Sequence, residues 1–273
     1  MRQLRRRWFG LLVAGWAVVL LVLAFGAYGG EATVAEQRDI AAARPAVDRA
    51  TVDLIRAAGP GVAVQVSDYH FQRDCRVSLV RGGAEYRRLV RLLVPPSAEG
   101  EVVELIGREL PGDYRATAYR SRAGYRLSAS GAGFVELSGT SGPSGKGMLQ
   151  VHIGTGCRPF DGPVATLRTP PTRSEMVRID GVLDLLGVAR NTAEIPRWHT
   201  ETIGCGDGSL RSVEFSSTSV LDRPLSDLAD LAPPDARVLA REDRLLAYRQ
   251  GAVSVVATTT NGRLRVSTTA VEC

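Results

Sequence analysis

The longest apolar run of the chain lies near its N-terminus. Residues Phe9–Ala27 form a run of nineteen residues without a charged side chain. At about 1.5 Å of rise per residue, a helix of this length spans roughly 28 Å, which is close to the hydrocarbon thickness of a bilayer. A buried helix of a soluble domain is rarely apolar on every face. The pattern therefore predicts a transmembrane helix over residues 9–28.

The charges on either side of this run predict its orientation. Four arginines stand among residues 1–8, whereas a polar stretch that contains acidic residues follows residue 28. The positive-inside rule then makes residues 1–8 a cytoplasmic tail and places the remainder outside the cytoplasm. We expect an uncleaved signal anchor followed by a juxtamembrane stalk over residues 29–45. A signal peptide cleaved near Gly26 is the alternative.

Beyond residue 45 the hydrophobic pattern follows a similar course twice. Apolar positions at helical spacing occur over residues 46–59 and again over 175–188. Each stretch precedes an aromatic residue, a cysteine and a second predicted helix, which begins near Ser97 in the first case and near Pro224 in the second. Ser97 suits an N-cap, and Pro224 suits a first helical turn. Strand-like segments complete each copy.

These elements predict the α+β class. The N-terminal transmembrane helix would be followed by two related units, each containing a helix, a strand, a second helix and antiparallel strands. The first unit covers residues 46–157 and the second covers 174–273. A proline-rich linker over residues 158–173 would join them. A single α+β domain with chance internal similarity is the alternative.

The last predicted hairpin has a specific turn signal. Asn261 and Gly262 separate two strand-like runs, and this dipeptide is typical of a two-residue type I′ turn. The first unit has the longer glycine-rich sequence GTSGPSGKG, residues 139–147, in the corresponding place. We expect a flexible hairpin loop there.

The four cysteines indicate a disulfide framework. None of them forms a CxxC pair, so a zinc ribbon or a thioredoxin-type redox site is not expected. Outside the cytoplasm disulfides persist, and four cysteines allow three pairings. The repeat favours a bond from the first strand of each unit to its last, which also fixes the final strand that ends at Cys273. Free thiols or a crossed pairing are the alternatives. The predicted bonds are Cys75–Cys157 and Cys205–Cys273.

Net charge mainly reflects the N-terminus. The chain has a formal charge of +5, with 34 basic and 29 acidic residues, and four of the basic residues lie in the first 30 positions, where there is no acid. The rest is nearly balanced. A nucleic-acid partner is therefore not expected, since it would need a basic patch on the folded domain.

Candidate catalytic and ligand-binding residues are few. His70, His152 and His199 are far apart in sequence, although His70 and His199 occupy similar places before the first cysteine of each unit. We expect ordinary polar roles for them. Ser144 lacks the second glycine of a nucleophile elbow, and the same loop does not fit a phosphate-binding loop. Asp207 is the only acid of the calcium-like sequence GCGDGSL, where a calcium loop needs several oxygen ligands.

Two groups of charged residues have simple structural interpretations. Glu99, Glu101 and Glu104 fall at the start of a predicted helix, where acids complement the helix dipole. The arginines of EYRRLVRLLV, residues 85–94, alternate imperfectly with apolar residues. A half-exposed strand or helix face is favoured there over an anion site. No catalytic, cofactor-binding or metal-binding residue is predicted.

The sequence thus favours a single-pass membrane protein with its C-terminal part outside the cytoplasm. Its partners would be the lipid bilayer, through the N-terminal helix, and an envelope protein or a wall component. The leading function is a non-enzymatic binding or accessory module of the bacterial cell envelope. One alternative is an extracytoplasmic hydrolase with a site assembled from scattered residues such as His199, Asp207 and Ser209. The other is a structural subunit of a membrane complex.

Overall fold

The computed structural model describes most of the chain beyond the N-terminal segment. The described residues are 13–22, 39–78, 81–131, 133, 135–142, 147–160, 169–186, 188, 197–221, 224–261 and 263–273. Helix α1 covers residues 13–22, and the other residues of the predicted span 9–28 lie outside these ranges. Within them no helix combines the length and the apolar character needed to cross a membrane.

Three further α-helices and thirteen strands make up the described structure. The helices are α2 (Ile40–Ala58), α3 (Glu99–Glu109) and α4 (Arg173–Leu185), with short 3-10 helices at Gly112–Tyr114 and Leu225–Leu231. The strands are β1 (Ala63–Val66), β2 (His70–Arg76), β3 (Gly82–Leu93), β4 (Thr117–Ser121), β5 (Gly124–Gly131), β6 (Val135–Ser141), β7 (Met148–Gly154), β8 (Arg197–Cys205), β9 (Gly208–Val220), β10 (Arg237–Glu242), β11 (Leu245–Gln250), β12 (Val253–Thr260) and β13 (Arg263–Glu272).

The strands form two antiparallel sheets with the same strand order. In the first sheet the order is β2-β3-β7-β6-β5-β4, and in the second it is β8-β9-β13-β12-β11-β10. Strand β1 is additional, and it pairs with the second half of β3 while β2 pairs with the first half. The predicted α+β class with antiparallel sheets is confirmed. The sequence predicts a single strand before the second helix of each unit. The structure instead has a hairpin there, β2–β3 in the first unit and β8–β9 in the second.

Both predicted disulfides are present. Cys75 is bonded to Cys157 with their Cα atoms 5.9 Å apart, and Cys205 is bonded to Cys273 with a separation of 5.7 Å. The first bond joins β2 to the segment after β7, and the second joins the end of β8 to the residue after β13. In each unit the bond therefore joins the outermost strand, β2 or β8, to the end of the strand that comes last in the sequence of that unit.

Helix α2 begins six residues before the position expected from the sequence. The Asp39 carboxylate accepts a hydrogen bond of 2.7 Å from the Ala42 amide and so caps the helix. Pro45 lies inside the helix, and Ile40 is buried in the core. Residues 40–45 consequently belong to the folded domain, and the predicted stalk over 29–45 is wrong for them. Residues 29–38 lie outside the described structure.

The second predicted helix differs between the two units. In the first unit it is α3, whose inner positions Val103 and Ile106 are buried as its apolar stripe predicts. The N-cap is Ala98 rather than Ser97, which has a positive φ of 71° and provides no side-chain cap. In the second unit the corresponding segment after Pro224 is the 3-10 helix Leu225–Leu231.

The ends of the predicted linker are part of the folded structure. Arg158 is buried and its backbone pairs with Ala84 of β3. At the other end, Thr172 and Glu175 form a capping box at the start of α4. Only residues 161–168 of the predicted linker 158–173 lie outside the described structure.

Three hydrophobic clusters connect these elements. The largest lies between the first sheet and helices α2 and α3, and it also includes Ile203 and Leu210 of the second sheet. A second cluster lies between the second sheet and α4 together with the Leu225–Leu231 segment. A third cluster joins the units directly, because Ala63 of β1 and Leu93 of β3 pack against Ala247 and Val256. The two sheets therefore share a buried interface.

Candidate functional site

A buried group of charged side chains crosses the interface between the two units. Arg88 of β3 has no exposed side-chain surface, and its guanidinium contacts the carboxylates of Asp48 in α2 and Glu201 in β8. Arg44 of α2 donates a second hydrogen bond to Glu201 at 3.1 Å. Buried ions are tolerated when they are paired in this way. The network fixes the second sheet against α2.

The alternation of β3 explains why its arginines have different environments. Tyr86, Val90 and Leu92 are in the large core, so Arg88 points inward with them. Arg87 and Arg91 point to the opposite face of the first sheet, and both are only half-buried. The stretch is therefore a strand as far as Leu93, and its outer face is half-buried at the two arginines.

The outer face of the first sheet brings two histidines close to these arginines. His70 of β2 is directly opposite Arg87, and His152 of β7 is directly opposite Leu89, between Arg87 and Arg91. Side chains two residues apart on a strand share a face, and neighbours on paired strands lie about 5 Å apart at Cβ. His70, Arg87, His152 and Arg91 therefore form one continuous patch.

Asp68 holds the imidazole of His70 from the loop between β1 and β2. The His70 Nδ1 atom is 3.5 Å from a carboxylate oxygen of Asp68 and 3.2 Å from its backbone oxygen. The hydrogen bond to Asp68 raises the pKa of His70. The same hydrogen bond lowers the pKa of Asp68, and His199 contributes a smaller electrostatic lowering.

His199 reaches this group from the second sheet. It is two residues from Glu201, which contacts Arg88, and four from Ile203, which is in the large core. His199 therefore projects from β8 toward the first unit. Its Nε2 atom is buried without a hydrogen-bond partner among the described protein groups. The electrostatic effect of His199 on Asp68 places it near the loop that holds His70, at the boundary between the units.

Fixed charges surround the histidines. Glu85 accepts hydrogen bonds from Arg73 and Arg87, both at 2.7 Å. Arg91 donates a hydrogen bond of 3.0 Å to Gln65. Burial lowers the pKa of Arg91, and the charges of Glu214 and Arg265 act on it from the second sheet. Burial also lowers the pKa of His152, with further lowering by Arg87, His70 and Arg91. We call the following residues the junction surface: Asp68, His70, Glu85, Arg87, Arg91, His152, His199, Glu214 and Arg265.

The other residues considered from the sequence are not brought to this surface. Asp207 is in the turn between β8 and β9, and Ser209 pairs with Gly204. Gly204 is five residues from His199 along β8, or about 17 Å at 3.3 Å per residue. The suggested combination of His199, Asp207 and Ser209 is therefore not assembled. Ser144 lies outside the described residues.

Glu99 has a structural role at the start of α3. It is buried, and its carboxylate accepts a hydrogen bond of 2.6 Å from the Gly147 amide beside the glycine-rich loop. Among the residues that the structure describes, no group of three or more histidine, cysteine or acidic side chains is arranged to hold a metal ion.

The junction surface is not evident from the sequence. Its members come from six strands and a loop, and Asp68, Glu214 and Arg265 belong to no recognisable motif. The similar positions of His70 and His199 before the first cysteine of each unit are the one signal that pointed to it.

Comparisons with known proteins add no assignment. No protein-family model matches the chain, and neither a curated protein nor a solved structure does.

Proposed function

We propose that this protein is a non-enzymatic binding module, anchored in the membrane and facing outward in the bacterial cell envelope. The observation that carries the proposal is the junction surface, where His70, Arg87, His152 and Arg91 share one face beside an interface held by buried ion pairs. A polar surface of this kind, to which both units contribute, is suited to hold a ligand or a partner.

The proposed location rests on the sequence and on the disulfides. The apolar run Phe9–Ala27 is preceded by arginines, and all four cysteines after it are paired in two disulfide bonds. Such bonds persist in oxidising compartments. The bilayer is the partner of the N-terminal segment, and an envelope protein or a wall component is the partner of the folded units.

The local hydrogen bonds favour binding over hydrolysis. Within the described residues, no hydroxyl or thiol group makes a hydrogen bond to one of the three imidazoles. The nearby Ser67 hydroxyl donates to the Asp68 carbonyl oxygen and accepts from the Leu89 amide, so it serves the backbone of the loop. A hydrolase would need a nucleophile or a metal that converges with a base.

Topology and anchoring can be tested on the full chain in cells. We expect the protein to stay in the membrane fraction after alkaline extraction. Protease added to spheroplasts should remove an epitope placed after Cys273 and spare one placed before Met1. The orientation control is a variant in which glutamate replaces Arg2, Arg5, Arg6 and Arg7. Release into the soluble fraction, or protection of the C-terminal epitope, would contradict the proposal.

A further inference from the structure

We propose that the junction surface binds an anionic group, a phosphate or a carboxylate, between His70, Arg87, His152 and Arg91, and that protonation of His70 and His152 strengthens this binding. This inference rests on the proposed binding function and gives it a ligand class and a regulator.

The position of the site follows from the strand register. His152 is opposite Leu89 and therefore lies between Arg87 and Arg91 on the outer face of the first sheet. The next outward position on β7 is Gly154, which is opposite Arg87 and has no side chain. A Cβ atom at Gly154 would lie 3.7 Å from the Arg87 Cγ atom and 3.7 Å from a Glu85 carboxylate oxygen. The missing side chain leaves a small notch between the Arg87 side chain and the Glu85 carboxylate.

The fixed charges around the junction surface nearly cancel. Arg73, which donates to Glu85, and the three arginines Arg87, Arg91 and Arg265 face three carboxylates, which leaves one excess positive charge. The next two charged groups on the same face, Arg126 of β5 and Glu136 of β6, again have opposite signs. Protonation of His70 and His152 adds two positive charges to this nearly balanced group. These two histidines therefore set how strongly an anion is attracted. The three carboxylates are Asp68, Glu85 and Glu214.

The carboxylates of Asp68 and Glu85 stay ionised over the range in which His70 and His152 titrate. The hydrogen bond from His70 lowers the pKa of Asp68. Burial tends to raise the pKa of Glu85, but hydrogen bonds from Arg73 and Arg87 outweigh it and lower that pKa. A fall in pH from about 8 to about 5.5 thus adds positive charge and removes little negative charge at these two groups.

Two of the histidines are expected to protonate in sequence. The pKa of His70 is raised by Asp68, so His70 takes up its proton first as the pH falls. The pKa of His152 is lowered by burial and by neighbouring cations, so His152 follows at lower pH. An anion between them would stabilise both protonated forms. Binding should therefore strengthen in two stages toward acid pH and should be accompanied by proton uptake.

Isothermal titration calorimetry on the full chain in lipid nanodiscs tests this inference. The probes are pyrophosphate and citrate, each at about pH 5.5 and about pH 8 in buffers of different ionisation enthalpy. We expect at least about tenfold tighter binding at the lower pH, which is the effect of roughly one pKa unit of coupling. The two probes distinguish a phosphate site from a carboxylate site.

Three variants on the proposed contacts and one control make the test specific. His152→Gln and Arg91→Gln should each weaken binding about tenfold or more at the lower pH. Gly154→Val should block the notch without changing any charge. Arg108→Gln, on the exposed side of α3, removes an arginine elsewhere and should bind like the parent chain. Thermal unfolding of each variant verifies that it is folded.

Two results would overturn the inference. One is an absence of binding for both probes at both pH values. The other is binding that neither depends on pH nor responds to His152→Gln and Gly154→Val. Membrane extraction and protease accessibility do not depend on this site, so a failure of anion binding is distinguishable from a failure of the proposed location and topology.

Discussion

Arg88 carries a guanidinium group with no exposed surface at the place where α2, β3 and β8 meet. Its contacts with Asp48 and Glu201 offset the cost of removing the three charges from water, and its Nε atom has no hydrogen-bond partner among the described groups. Glu201 is almost fully buried as well. If Arg88 is removed, the buried Glu201 carboxylate keeps only its hydrogen bond from Arg44.

We predict that Arg88→Leu lowers the free energy of unfolding by about 3 kcal/mol, because the buried carboxylate of Glu201 would keep only its hydrogen bond from Arg44. Urea unfolding of the full chain measures the change. Arg126→Leu, at an exposed position of the same sheet, is the matched control and should change the stability by less than about 0.5 kcal/mol. Combining Arg88→Leu with Glu201→Leu should recover part of the loss. Equal effects of the two single arginine variants would contradict this role for Arg88.

At the scale of elements, the sequence predicts the turns and helix faces that depend only on neighbouring residues. The pairing of Thr260 with Arg263 leaves a two-residue turn, and Asn261 has the positive φ of 51° that the Asn-Gly signal implies. The apolar stripe of α3 was likewise readable from its spacing. The start of α2 does not follow from the helical spacing, which begins at residue 46, whereas the helix is capped by Asp39 and continues through Pro45.

The charged positions show a different limit of prediction. Arg87 and Arg88 are adjacent and chemically identical in sequence, but one faces the outer surface and the other faces the buried interface. Which of them becomes buried depends on the strand register and on the second sheet, and neither is a local property. The disulfide pairing follows from the internal repeat. The approach of the histidines does not, because it depends on the strand register and on the second sheet.

The turn between β8 and β9 provides a prediction at this scale. Gly208 is the first residue of β9, and a Cβ atom there would lie 1.8 Å from the backbone oxygen of Glu272 in β13. Gly208→Ala therefore requires β9 and β13 to move apart. We expect a loss of about 2 kcal/mol in the free energy of unfolding. Gly204→Ala is the matched control in the same hairpin, since its Cβ atom would have no neighbour within 4 Å. Thermal unfolding of both variants, compared with the parent chain, measures the difference. Similar losses for both would show that the contact is not limiting.

The whole molecule combines two sheets of the same strand order with a shared interior. This shared order supports the prediction of two related units, although the unit boundaries stay a prediction. The hydrophobic clusters do not follow those boundaries, because Ile203 and Leu210 of the second sheet pack in the core of the first unit. Side chains of the second sheet also donate hydrogen bonds to backbone oxygens of the first unit. The Ser212 hydroxyl donates to Val66 at 3.2 Å, and the Arg249 guanidinium donates to Val62 at 2.9 Å. We therefore expect the two units to unfold as one.

Removing either disulfide tests this expectation. Each bond closes a long loop, with sequence separations of 82 and 68 residues, and such loops are worth about 4 kcal/mol in the chain-entropy model. Cys75→Ser with Cys157→Ser, and Cys205→Ser with Cys273→Ser, should each destabilise the protein by roughly this amount. Because the interface is shared, each double variant should still show a single transition, with the amide protons of both sheets losing protection together in hydrogen exchange. Reduced protection in only the sheet that lost its bond would instead show that the units are independent, and the interface around Arg88 would then contribute little to stability.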